Sequence, residues 1–171
     1  MAKRIFRPIR VDGEVARIPL TRGREAVIDA ADAATADLYT WYTIPAGETA
    51  YAATTIRDAD GVSKRIYLHR HLLSATSGFE VDHRNGDGLD NRRANIRLAT
   101  QAENRRNKGR SAQNKSGLKG ASWNENAGKW EANIRFSGKR QYLGLFETAQ
   151  LAHEAYAAAA HALHGEFART S

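Results

Sequence analysis

Val81-Asp82-His83-Arg84-Asn85-Gly86-Asp87-Gly88-Leu89-Asp90-Asn91-Arg92-Arg93-Ala94-Asn95-Ile96-Arg97-Leu98-Ala99-Thr100-Gln101-Ala102-Glu103-Asn104 is the stretch on which the reading of the chain turns. The short apolar run from Phe79 to Val81 reads as the end of a strand that delivers Asp82 and His83 into a loop. Adjacent strand residues point to opposite sides, so the two side chains act at one point only if the backbone turns there. Gly86 and Gly88 permit such a turn. Ile96 to Ala99 pairs back as a second strand. Thr100-Gln101-Ala102-Glu103 has the spacing of a capping box, which starts a helix through Arg105 and Arg106. Asn104 falls in its first turn, near the positive end of the helix dipole. The stretch therefore predicts strand, loop, strand and helix.

The residue types in that frame suit phosphodiester hydrolysis. A neutral imidazole at His83 is a fit general base near pH 7. Asp82 offers a hard anionic oxygen suited to Mg²⁺ or Mn²⁺, and Asn104 a neutral one. Asp87, Asp90 and Asn91 read as turn-forming residues. Asp82, Asp87 and Asp90 lack the acidic spacing and terminal Glu of a calcium loop. Upstream, His69 and His71 lie two apart and do not share a helix face, so His69 reads as a packing or hydrogen-bonding residue.

Charge supports a polyanionic partner. The formal net charge is +7, and residues 61–116 hold 12 Lys/Arg against 5 Asp/Glu, whereas residues 1–60 hold 8 against 9. The excess therefore surrounds the His83 segment, where a local positive field attracts phosphate. Arg92, Arg93, Arg97, Arg105 and Arg106 are the candidate phosphate contacts. The chain has no cysteine, which excludes disulfides and thiolate zinc sites. No apolar run approaches the ~20 residues of a membrane helix, and the N-terminus has no signal-peptide core, so a cytoplasmic protein of a bacterial host or phage-infected cell is expected.

These residues carry a resemblance over roughly 66–108. Leu68-His69-Arg70, Val81-Asp82-His83, Asn91, Asn95-Ile96-Arg97 and Asn104 resemble the HNH nucleases, specifically the homing-type endonucleases of phages and introns. The resemblance implies a ββα-metal centre with His83 as general base and Asn95 holding the base and its loop. It also implies that Asp82 and Asn104 ligate a divalent metal, Mg²⁺ or Mn²⁺. Many members have His where this chain has Asn104.

The flanks read as scaffold and DNA reader. Lys3–Ile9, Val15–Thr21, Glu25–Asp29, Ala50–Arg57 and Lys64–Leu68 are strand-like, with Asp29 capping a helix over Ala30–Tyr39 and Trp41 and Tyr42 as core anchors. Arg4, Arg7 and Arg10 could form a minor DNA-contacting face. Downstream, Leu118–Asn124, Lys129–Ser137 and Arg140–Phe146 predict a three-stranded sheet, with Trp130, Ala132, Ile134 and Phe136 on one side and Lys129, Glu131, Asn133 and Arg135 on the other. Thr148 starts an Ala-rich helix that ends at Gly165, with Leu151, Ala155, Ala159 and Leu163, plus Ala152 and Tyr156, as its packed stripe. Lys119-Gly120-Ala121-Ser122-Trp123, Lys129 to Arg135, Tyr142 to Thr148 and Ala155-Tyr156 resemble the APETALA / ethylene-response-factor type DNA-binding domain. That resemblance implies DNA contacts from Lys119, Ser122, Lys129, Asn133, Arg135, Arg140 and Tyr142.

The expectation is an α+β protein: a β-rich N-terminal module (1–63), a ββα-metal nuclease centre (64–110), a linker (111–116) and a sheet-plus-helix DNA-binding module (117–171). Its expected activity is metal-dependent, site-directed cleavage of double-stranded DNA, with one centre per chain favouring nicking by a monomer or weak dimer. The rival readings are a DNA-binding regulator with an inactive centre and an RNA-directed nuclease.

Overall fold

A computed structural model describes residues 8–107 and 114–170, with the side chains of 105–107 outside that description. Most of the expected strand Lys3–Ile9, residues Arg4 and Arg7, the side chains of Arg105 and Arg106, and Lys108 with most of the linker lie outside the described residues. The chain divides into two compact units, 1–101 and 102–171.

Unit 1 holds three small antiparallel sheets. The first contains β1 (Arg10–Asp12), β2 (Val15–Pro19) and β3 (Glu25–Asp29), in the order β1-β2-β3. A 3-10 turn (Ala30–Asp32) and the short α1 (Ala33–Ala36) lead into the second. That sheet contains β4 (Tyr42–Ala46), β5 (Thr49–Arg57) and β6 (Ser63–Tyr67), in the order β4-β5-β6. Then come α2 (Leu68–Leu72) and the pair β7 (Glu80–His83) and β8 (Ile96–Ala99). Period-two alternation explains β2 and β3. Ala16, Ile18, Ala26 and Ile28 turn inward, while Arg17 is exposed.

One core joins all of these. Ile18, Leu20, Ile28 and Trp41 pack with Leu68 and Leu72 of α2 and Ile96 of β8. Each such side chain contributes about 1.5–3 kcal/mol when fully buried. The Trp41 indole N–H donates to the Ala36 carbonyl at 2.8 Å, so burying it leaves no polar cost. The expected boundary at 63/64 falls inside unit 1. The N-terminal strands and the His83 segment share a core, and the division falls after Gln101.

Three local expectations also change. The helix over Ala30–Tyr39 is shorter, and Asp29 does not cap it. The Asp29 carboxylate instead accepts from the Arg93 backbone N–H at 2.7 Å. A strand not expected from sequence, β4, contains Pro45. It is an edge strand, where a missing N–H is tolerated. Finally, Asp82 and His83 lie within β7 rather than beyond it, paired with Arg97 and Ile96 across the ladder.

Unit 2 begins in α3 (Gln101–Asn107). It then forms β9 (Ala121–Asn124), β10 (Lys129–Phe136) and β11 (Lys139–Phe146), in the order β11-β10-β9, followed by α4 (Ala149–His164). The Thr148 hydroxyl accepts from Leu151 N–H, and Gly165 at φ 53° ends α4. The buried stripe is Ala152, Tyr156 and Ala160, with Ala155, Ala159 and Leu163 packed beside it, so the expected face is seated on the sheet except for Leu151, which is exposed. Gly120 permits this seat: at φ +82°, an added Cβ would lie 2.0 Å from the Tyr156 ring. Among the described residues, no helix is long and apolar enough to cross a membrane.

Candidate active site

The chemistry of unit 1 converges on the end of β7. Asp82 and His83 point to opposite sides of that strand, yet both are buried, because both of its sides are covered. Asp82 is 3% exposed and meets Arg97, its cross-strand partner. Arg97 Nε donates to Asp82 Oδ2 at 2.8 Å, and Arg97 Nη2 lies 2.7 Å from the same oxygen. The expectation that Arg97 faces DNA is corrected here. Its guanidinium is itself buried against Asp82.

His83 sits among rings. Its imidazole meets His69 edge-on at a centroid distance of 5.1 Å and the Tyr51 ring at 5.9 Å. His69 is in turn stacked on Tyr67 at 5.5 Å and 16°. Burial pushes the His83 pKa below its ordinary value, against the opposing pull of Asn91 and of Asp82, Asp87 and Asp90. His69 is pushed down to about 3 by burial, with smaller contributions from His83 and Arg70. Both imidazoles are therefore neutral near pH 7.

Which nitrogen of His83 carries the proton follows from Asn91. Asn91 is wholly buried, and its amide nitrogen donates to the Leu89 carbonyl at 3.0 Å. That bond turns the amide oxygen, an acceptor only, toward His83 Nε2 at 3.3 Å. Nε2 must then be the protonated nitrogen, and Nδ1 holds the basic lone pair. Asn91 reads in the sequence as a turn residue; its contact with the imidazole is visible only in three dimensions.

Asn95 acts on the loop backbone. Its side-chain oxygen accepts from Asn85 N–H at 3.1 Å, and its amide nitrogen donates to the Asp90 carbonyl at 2.7 Å. The loop is also held from outside the motif. Leu89 accepts from Val27 N–H at 2.8 Å, and Asn91 N–H donates to the Val27 carbonyl at 2.7 Å. Gly88 N–H donates to Thr49 Oγ1 at 2.9 Å. A Cβ at Gly88 would lie 2.5 Å from both the Ala50 carbonyl oxygen and the Tyr51 ring. Strands β3 and β5 thus form the bed on which the loop rests. Sequence reasoning missed Tyr51 as part of this site, and no local signal marks it.

The two neighbouring arginines are tied down by carboxylates. Arg92 forms a fork with Asp90 at 2.8 and 2.7 Å, and those bonds hold the Asp90 pKa below its ordinary value. Arg93 forms a fork with Asp32 at 2.9 and 2.8 Å. Each guanidinium remains half exposed. Asn104 lies in the first turn of α3, partly buried. Among the described residues no group of three His, Cys, Asp or Glu side chains could hold a metal.

In unit 2, Ser122, Lys129, Asn133, Arg135, Arg140 and Tyr142 fall on one sheet face by register. The centre of that face is acidic. Glu131 accepts from Asn124 and Arg140, each at 2.7 Å, and from Asn133. Lys129 pairs with Glu147 at 2.7 Å. Lys119 precedes β9 and lies outside the strands of that face. Its ammonium donates to the Arg169 carbonyl at 2.6 Å and lies over the Tyr156 ring, and burial pushes its pKa down to about 8.

An HNH endonuclease family model matches residues 67–106. Protein 3.8 of Escherichia phage T7 is 33% identical over 92 residues, which cover 54% of this chain and 75% of that protein. No solved structure matches. The chain belongs to the same family as phage T7 Protein 3.8, and it carries an HNH endonuclease domain over residues 67–106.

Proposed function

We propose that the protein is a metal-dependent DNA endonuclease in which His83 Nδ1 takes the proton from the attacking water. The observation that carries this reading is the Asn91 contact, which assigns the Nε2–H tautomer to a buried, neutral imidazole. A base that is already neutral and fixed in orientation needs no rearrangement before proton transfer. Asn95 acts as a positioning residue by fixing the loop that carries Asn91.

The donor set fits a hard divalent ion. Mg²⁺ is bound through one or two carboxylates and keeps several waters. Asp82 would offer it a carboxylate oxygen, the HNH resemblance implies Asn104 as a second ligand through its amide oxygen, and Mg²⁺ or Mn²⁺ suits such oxygens better than zinc. Both Arg97 contacts fall on one Asp82 oxygen, Oδ2. When bound, the ion would supply Lewis-acid stabilisation of charge on the phosphate and the departing oxygen. The unit 2 sheet face would contact duplex DNA through Ser122, Lys129, Asn133, Arg135, Arg140 and Tyr142. With one centre per chain, the product is a nick, with a 5′ phosphate and a 3′ hydroxyl.

The test is relaxation of supercoiled plasmid by purified protein with Mg²⁺, Mn²⁺ or EDTA. Wild type should nick only with metal, and His83→Ala should bind without nicking. Equal nicking by His83→Ala would remove the assignment. Binding without nicking by wild type under every metal condition would favour a DNA-binding regulator.

A further inference from the structure

We propose that the cleft along the free edge of β6 in unit 1 is a second contact site for the phosphate backbone of duplex DNA, separate from the unit 2 sheet. This proposal rests on the endonuclease reading and extends it to how substrate is held at the His83 centre.

The cleft encloses about 720 Å³. Four consecutive residues, Lys64 to Tyr67, line it. Residues on one face of a strand recur every second position, so a consecutive run means the cleft follows the strand's edge. β6 is an edge strand of its sheet. Such an edge offers unpaired backbone N–H groups, which are phosphate donors.

The charge of the cleft has one sign. Lys64, Arg65, Arg70 and Arg93 line it, and no carboxylate does. Among the described residues, the Arg70 guanidinium donates to the carbonyls of Phe79, Ala75 and Thr76, at 2.8, 3.1 and 2.9 Å, and pairs with no carboxylate. Arg93 is the one cation of the four that is bonded to a carboxylate, Asp32, among the described residues. The side chains of Lys64 and Arg65 are exposed and form no ion pair among the described residues. His71 also lines the cleft, with a buried Nε2 that has no hydrogen-bond partner among the described residues.

The cleft is also close to the chemistry. Tyr67 lines it and stacks on His69, and His69 meets His83. The Tyr67 and His69 rings thus form a continuous chain of contacts from the cleft lining to the proposed base. A duplex with one phosphate at His83 would extend neighbouring phosphates along this wall.

The test measures binding of full-length protein to a short duplex in EDTA, in a His83→Ala background, as a function of salt. Adding Lys64→Ala and Arg65→Ala should weaken binding at low salt. It should also reduce the slope of log K against log salt by ~1.8, at ~0.9 for each phosphate that the variant no longer neutralises. The charge-conserving pair Lys64→Arg and Arg65→Lys should restore the slope. An unchanged slope and affinity in the double alanine variant would overturn the proposal, as would an effect confined to duplex RNA. Plasmid nicking by wild type, run in parallel, separates the two readings. Nicking with an unchanged slope rejects only the cleft, and a reduced slope without nicking rejects only the endonuclease.

Discussion

Lowering the pH from 8 to 5 should destabilise unit 1 through His69. This imidazole is buried, stacked on Tyr67 and facing His83, and its pKa is pushed down to about 3. In the unfolded chain the same group titrates at ~6.5. Above pH 6.5 both states hold it neutral, and its full packing contribution is present. Between 6.5 and about 3 the unfolded chain binds a proton that the folded one refuses, so stability falls as pH falls. The slope approaches ~1.4 kcal/mol per pH unit, and the loss from this residue reaches about 2 kcal/mol at pH 5. His83 is shifted in the same direction, so it adds to the loss. The assay is urea unfolding followed by ¹⁹F NMR of fluorotryptophan-labelled protein, in which Trp41 reports unit 1 separately from Trp123 and Trp130. His69→Phe keeps an aromatic ring but cannot titrate. If His69→Phe loses as much stability between pH 8 and 5 as the parent, the reasoning is refuted.

Other perturbations test other parts of the site. Asn91→Ala removes the acceptor that selects the His83 tautomer. It should lower the cleavage rate by about 10²-fold or more while leaving duplex binding in EDTA unchanged. Arg97→Leu strands Asp82 as a buried charge and should cost about 3–5 kcal/mol in urea unfolding, whereas an exposed ion pair would cost under ~1 kcal/mol. Gly88→Ala places a methyl group against the Ala50 carbonyl and the Tyr51 ring and should cost about 1–3 kcal/mol by the same measurement. In a pH–rate profile at saturating metal, the acid limb should fall below pH 6.5, since the proposed base is neutral until the pH drops through its lowered pKa.

Local spacing made the motif legible, and packing decided what it did not reveal. The strand, loop, strand and helix over 80–107 follow from a short apolar run, two glycines and a capping pattern. The sheet and helix of unit 2 follow from alternation along Lys129–Phe136 and from the Thr148 and Gly165 signals. The fate of each arginine was not legible. Arg92, Arg93 and Arg97 are alike in sequence, yet each meets a different carboxylate, one of them 61 residues away. Asn91 and Asn95 are both loop asparagines, and only the fold distinguishes the one that meets the imidazole from the one that holds backbone. Tyr51 and Val27 carry no motif, because their parts are set by how β5 and β3 lie beneath the loop.

That bed has a consequence for how such enzymes can be rebuilt or exchanged. A graft of residues 67–106 alone would leave behind Val27, Thr49 and Tyr51, and with them the backbone bonds that keep Leu89 to Asn91 in place. The transplanted loop would still carry His83 and Asn91 but would lack the surface that sets their distance. The smallest segment to transfer therefore runs from the N-terminal strands through α3, so that it keeps both the bed and Asn104, and a crossover at Gln101 would leave Asn104 behind.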